Sequence, residues 1–99
     1  MVYVYILELE DGFYYVGSAA DTNIRQRLSI YADPNHPNLP GWVRLHKFRR
    51  VIAVIKCLHQ EDENKWVKIM MKHFTHDKVR GGSYSQTRKH LETVRSYFL

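Results

Sequence analysis

Cysteine is nearly absent: Cys57 is the only one, so the sequence holds no disulfide framework and no thiolate zinc site. It stands in an apolar run and reads as core. Long hydrophobic runs are missing too. No segment approaches the roughly 20 apolar residues of a membrane-spanning helix, and no positive stretch leads into an apolar one at the start. The expectation is an intracellular, soluble protein with no membrane partner, with cytoplasm and nucleus not distinguished. Three prolines and five glycines are too few for a linker-rich or low-complexity chain. The prolines gather in Asp33-Pro34-Asn35-His36-Pro37-Asn38-Leu39-Pro40-Gly41, which reads as an irregular loop inside one domain. Acidic residues are outnumbered, 10 against 15 Lys and Arg, and the net charge of +5 favours polyanionic partners.

What is present is a foldable composition. With 99 residues and 44% of them hydrophobic, the chain can bury one core, so a single domain over 1–99 is expected. The basic residues Arg44, His46, Lys47, Arg49 and Arg50 lie in one stretch, with Trp42 just before it. Such a stretch is either a solvated face or a phosphate-binding one. Arg25, Arg44, His46 and Lys47 are the candidate nucleic-acid contacts, with Trp42 either stacking on a base or covering the sheet edge. Six histidines are present, yet His73 and His76 have no acidic or thiol partner at zinc spacing.

Val2 to Leu9 is rich in β-branched and aromatic residues, Asp11-Gly12 is a turn pair, and Phe13 to Ser18 reads as a returning strand. The loop length decides which face each tyrosine takes. A two-residue turn pairs Glu8 with Tyr15 and sends Tyr5 and Tyr15 to opposite faces. A three-residue loop, Glu10-Asp11-Gly12 as a type I turn with Gly12 in the left-handed bulge position, sets Leu7 opposite Tyr15 and Tyr5 opposite Gly17. A shared site for the two phenols requires the longer loop.

A helix is expected over about Thr22 to Ala32, with Ile24, Leu28 and Tyr31 inward and Arg27 one turn before Tyr31. The apolar run in Arg50 to Leu58 suits a central strand that completes a three-stranded, mostly antiparallel sheet. Glu61-Asp62-Glu63 open a helix with Trp66, Ile69, Met70, His73 and Phe74 at helical spacing, and a last helix is expected over about 85–98. The order is ββα-β-α-α. The fold class is α/β (α+β), a small sheet with helices packed on it.

Tyr3-Val4-Tyr5, Tyr15-Val16-Gly17 ten residues on, Arg27-Leu28-Ser29-Ile30-Tyr31 and Glu63-Asn64-Lys65-Trp66 together resemble the GIY-YIG nuclease domain, over about 2–84. Tyr5 and Tyr15 match the signature tyrosines. Arg27 matches the family arginine, with Arg25 as a competitor because two extra residues stand in the loop before it. Tyr31 matches a position that holds histidine or tyrosine, and Glu63 matches the metal-binding glutamate. Tyr3 replaces the glycine of the first triplet, Ser18 stands where some members carry lysine, and the late asparagine of other members has no counterpart near Gly81-Gly82-Ser83.

The resemblance implies a metal-dependent endonuclease acting on DNA, with RNA left open. Tyr5 or Tyr15 would be the general base for water, and the other would orient water or phosphate. Arg27 would bind the scissile phosphate. Tyr31 would join the hydrogen-bond network, and Glu63 would hold one Mg²⁺ or Mn²⁺ ion. The alternative is a catalytically weak or inactive nucleic-acid-binding module on the same fold. Target choice would come from the domain surface or a targeting protein partner, and the process served, whether repair or recombination, is left open.

Overall fold

The computed structural model describes residues 1–81. Strand β1 (Val2–Leu9) is its axis, buried on both faces from Val4 to Leu7. It runs antiparallel to β2 (Tyr14–Ala20) on one side and to β3 (Phe48–Cys57) on the other. A three-residue strand β4 (Val79–Gly81) lies parallel to β2 and completes the order β3-β1-β2-β4. The fold is α+β, with a mixed sheet of four strands among the described residues.

The β1–β2 register is the one that the longer loop demands: Tyr5 lies opposite Gly17 and Leu7 opposite Tyr15. The turn itself is different from a type I turn with one left-handed residue, because Asp11 (φ 61°) and Gly12 (φ 81°) both take positive φ. An aspartate tolerates that conformation better than most residues.

Alternation along β1 sorts its side chains between two cores. Val4 and Ile6 join Val16, Val79 and, from helix α3 (Asp62–Phe74), Val67, Met70 and Met71. Tyr5, Leu7 and Leu9 face the opposite way, toward helix α1 (Ile24–Tyr31) and helix α2 (Gly41–His46). The sheet is therefore sandwiched between helices. α3 carries Asp62 and Glu63 in its first turn and Lys72 and His73 in its last, which complements the helix dipole. Its buried stripe is Val67, Met70 and Met71; Ile69 is half-buried and His73 exposed.

Three expectations need correction. Among the described residues the sheet has four strands, because Val79–Gly81, read as a turn segment after the helix, pairs with β2; three residues carry too little alternation to be read as a strand. β3 is an edge strand, with Ile52 43% and Val54 47% exposed, since an apolar run of strand length fits an edge as well as a centre. The order gains a helix, α2, between α1 and β3, where a loop ending at Gly41 and a basic cluster were expected. The expected helix over 85–98 lies outside the described residues. No helix among the described residues is long and apolar enough to cross a membrane.

Candidate active site

The site lies at the Gly17–Ser18 end of β2, next to the residues that pair with β4. β4 pairs only with Tyr14, Tyr15 and Val16, so Gly17 and Ser18 have no strand beside them on that flank among the described residues. Gly17 has a specific reason to be glycine. A Cβ there would overlap Oη, Cζ and Cε1 of Tyr5, whose ring lies across the strand from it. Without a side chain at 17, the Tyr5 phenol can pass beneath the backbone and reach Tyr31, and the two hydroxyls are hydrogen-bonded to each other. The Tyr5 and Tyr31 rings are 5.4 Å apart between centroids, and the Tyr15 and Tyr31 rings 5.9 Å.

Arg27 reaches the same place from α1. Its Nη1 donates to the Ser18 carbonyl at 3.4 Å, and its guanidinium interacts electrostatically with the Tyr5 and Tyr31 phenols. Glu63, at the start of α3, approaches from the other face of the sheet. Ser18 points to that face, as Val4 opposite it does, and its hydroxyl favours the charged form of the Glu63 carboxyl. Ser18 thus stands between the two faces: its carbonyl accepts from the guanidinium and its side chain turns toward the face of the acid. The charge of Glu63 acts electrostatically on Tyr5 and Tyr15, and Arg27 acts on Glu63.

Tyr15, Arg27 and Tyr31 line a cleft of about 370 Å³, together with Asn23, Gln26, Ile30, Asn38 and Pro40. Tyr5 is fully buried behind that wall. Burial pushes the Tyr5, Tyr15 and Tyr31 phenols above the ordinary tyrosine value, and Arg27 pulls each part of the way back. Burial likewise pushes the Glu63 carboxyl above the usual range, with the Ser18 hydroxyl and Arg27 opposing it. Among the described residues, no group of three or more His, Cys, Asp or Glu is placed to hold a metal ion. Glu63 is the carboxylate at this site, beside a hydroxyl, and an oxygen donor set with one acid suits a hard cation that keeps most of its waters.

The remaining expected contacts are dispersed. Arg25 is exposed and lies outside the cleft lining. Trp42 is core: its Nε1 donates to the Tyr14 carbonyl at 2.8 Å and its ring meets the edge of Phe13, so it presents no face to a base. His46 stacks on Phe13 at 3.6 Å between centroids, with its Nε2 buried and unpartnered. Burial, then the Arg80 and Lys78 charges, push this imidazole below its ordinary value. Arg44 donates to the His36 and Pro37 carbonyls at 3.2 and 3.4 Å and so pins the proline-rich loop. Arg44 and Lys47 also line a neighbouring cleft of about 390 Å³, of which Tyr31 forms the shared wall.

Sequence reading missed several residues. Arg80 is 2% exposed, donates to the His76 and Val79 carbonyls, and lies 4.4 Å over the Trp42 ring. The sequence holds no signal for a buried arginine in a segment that reads as a turn. Asn23, Gln26 and Asn38 were also missed, because their cleft joins a helix start to a loop. Ser18 had been read only as a missing lysine. No protein-family model, curated protein or solved structure matches the chain.

Proposed function

We propose that the protein is a metal-dependent endonuclease that hydrolyses phosphodiester bonds in DNA, with the cleft at the β2 edge as its active site. The observation that carries this reading is the meeting of three phenols and a guanidinium beside a cleft, with a half-buried carboxylate coupled to them across the sheet. The same residues carry the resemblance to GIY-YIG nucleases.

Arg27 is exposed at the cleft wall, and its planar fork would bind the scissile phosphate and offset charge that grows on its oxygens. Tyr15 lines the cleft and is the phenol positioned to meet a water. As phenolate it would take the proton of that water while the water oxygen bonds to phosphorus and the bond to the leaving sugar oxygen breaks; the leaving oxygen is protonated from solvent. Tyr5, behind the wall, would hold Tyr31 and Arg27 in place through its hydroxyl. Glu63 is the residue that would hold Mg²⁺ or Mn²⁺. Bound there, the ion would polarise the phosphate. The negative charge of Glu63 is among the influences that hold Tyr5 and Tyr15 up, so neutralising it favours the phenolate the reaction needs.

A second reading, a nucleic-acid-binding module with little turnover, is favoured by one observation. Every phenol of the site is held toward its protonated form, and none has a lysine beside it at position 18. Plasmid nicking separates the two. The endonuclease reading expects nicking by the wild type in Mg²⁺, none in EDTA and none by Glu63→Gln. DNA binding without nicking in Mg²⁺ or Mn²⁺ would favour the binding module.

A further inference from the structure

The cleft that holds Arg27 is mostly neutral. Beside the guanidinium it presents three carboxamides, Asn23 and Gln26 from the start of α1 and Asn38 from the proline-rich loop, with Ile30 and Pro40 as apolar wall. A surface built only to grip phosphate would carry cations. A carboxamide instead offers a donor and an acceptor side by side, which is the pattern a nucleobase edge presents.

These amides are not used to hold the fold together. Asn23 occupies the N-cap position of α1, where its side chain would ordinarily accept from a backbone N–H of the first turn, yet it makes no capping bond. Among the described residues Asn23, Gln26 and Asn38 make no side-chain hydrogen bond. Asn23, Gln26 or Arg27, and Ile30 recur at three- and four-residue spacing, so one face of α1 supplies the cleft with amide, guanidinium and apolar surface together. At about 370 Å³ the cleft falls within the roughly 300–1,000 Å³ of pockets that enclose small organic groups. The half-buried Tyr15 and Pro40 in the wall are flat side chains of the kind a base lies against.

We propose that Asn23, Gln26 and Asn38 read the edge of one unstacked nucleobase next to the phosphate held by Arg27, so that the strand is cut beside a preferred, unpaired base. This rests on the nuclease reading and gives it a substrate class: single-stranded or locally distorted nucleic acid.

Two measurements test it. In the first, the side-chain NH₂ signals of Asn23, Gln26 and Asn38 are followed by NMR while a short single-stranded oligonucleotide is added, and then an abasic strand of equal length and charge. The amide signals are expected to shift with the base-bearing strand alone, and the Arg27 Nε–H signal with both. Amide signals that stay still, or that shift equally with the abasic strand, overturn the proposal. This readout needs no cleavage, so a chain that binds bases and cuts nothing would defeat the nuclease reading while leaving the amides' role intact. In the second, cut positions are mapped on a random-sequence strand. The wild type is expected to favour one base beside the cut by roughly tenfold, and Gln26→Ala with Asn38→Ala to bring that ratio within about twofold. Both substituted residues are exposed, and a melting curve confirms that the variant folds. A ratio that survives the double substitution, or a wild type that cuts without preference, overturns the proposal.

Discussion

Glu63 shows what burial of a single carboxyl does to the fold. Its carboxyl is held above its ordinary range by burial, so the folded chain keeps a proton there that the unfolded chain has released. The stability this group affects is therefore lost as pH rises from the ordinary glutamate value through the higher folded one. Glu63→Gln is expected to melt at a higher temperature than the wild type at pH 7 without divalent ions, with the gap closing by about pH 3. A gap that is absent at pH 7, or that grows in acid, would show the carboxylate to be stabilising. Tyr15 gives a second reading of the same physics. With its phenol pushed above the ordinary value, the phenolate fraction should rise about tenfold per pH unit, and single-turnover cleavage with it, between about pH 6 and 8. In Tyr15→Phe that slope should flatten; a wild-type profile already flat there would remove Tyr15 as base.

At the scale of elements, the hairpin was the most legible part of the chain, because alternation of period two ties the loop length to which phenols share a face. The Tyr5–Gly17 pairing follows from it, and Gly17 could then be read as the space that the Tyr5 ring fills. Gly17→Ala is expected to cost about 1–3 kcal/mol in a denaturation curve, the range for overpacking a filled site. An unchanged midpoint would mean that the ring has room to move. Gly81, where a Cβ would overlap the Val16 carbonyl, plays the corresponding part where β4 meets β2. The helix α2 was illegible for a different reason: its cations drew attention to phosphate, while the residues that fix it, Trp42 and Val43, are buried against β1 and β2. Trp42→Ala should cost about 3–5 kcal/mol, measured by chemical denaturation, as for other buried aromatics. A variant that keeps its stability and loses only nucleic-acid affinity would instead place the ring at the binding surface. β3 was misplaced because composition reports that a strand is apolar without reporting how many neighbours it has.

For the molecule as a whole, the site depends on the sheet being approached from both faces. α1 delivers Arg27 and Tyr31 on one face and α3 delivers Glu63 on the other, with Ser18 of β2 between them. The tyrosines, Arg27 and Glu63 could be picked out by spacing and resemblance, but the edge position and the amide wall needed the tertiary fold. Groups that act as one unit in a reaction are far from additive when removed together, whereas independent sites multiply their losses. The direct measurement is therefore single-turnover DNA cleavage in Mg²⁺ by the wild type, Arg27→Ala, Glu63→Gln and the double variant. Each single variant is predicted to lose about a hundredfold or more, Arg27→Ala with little change in melting temperature since the residue is exposed, and the double to be scarcely slower than the worse single. Losses that multiply in the double variant, or single variants that cut as fast as the wild type, would contradict a common site across the β2 edge.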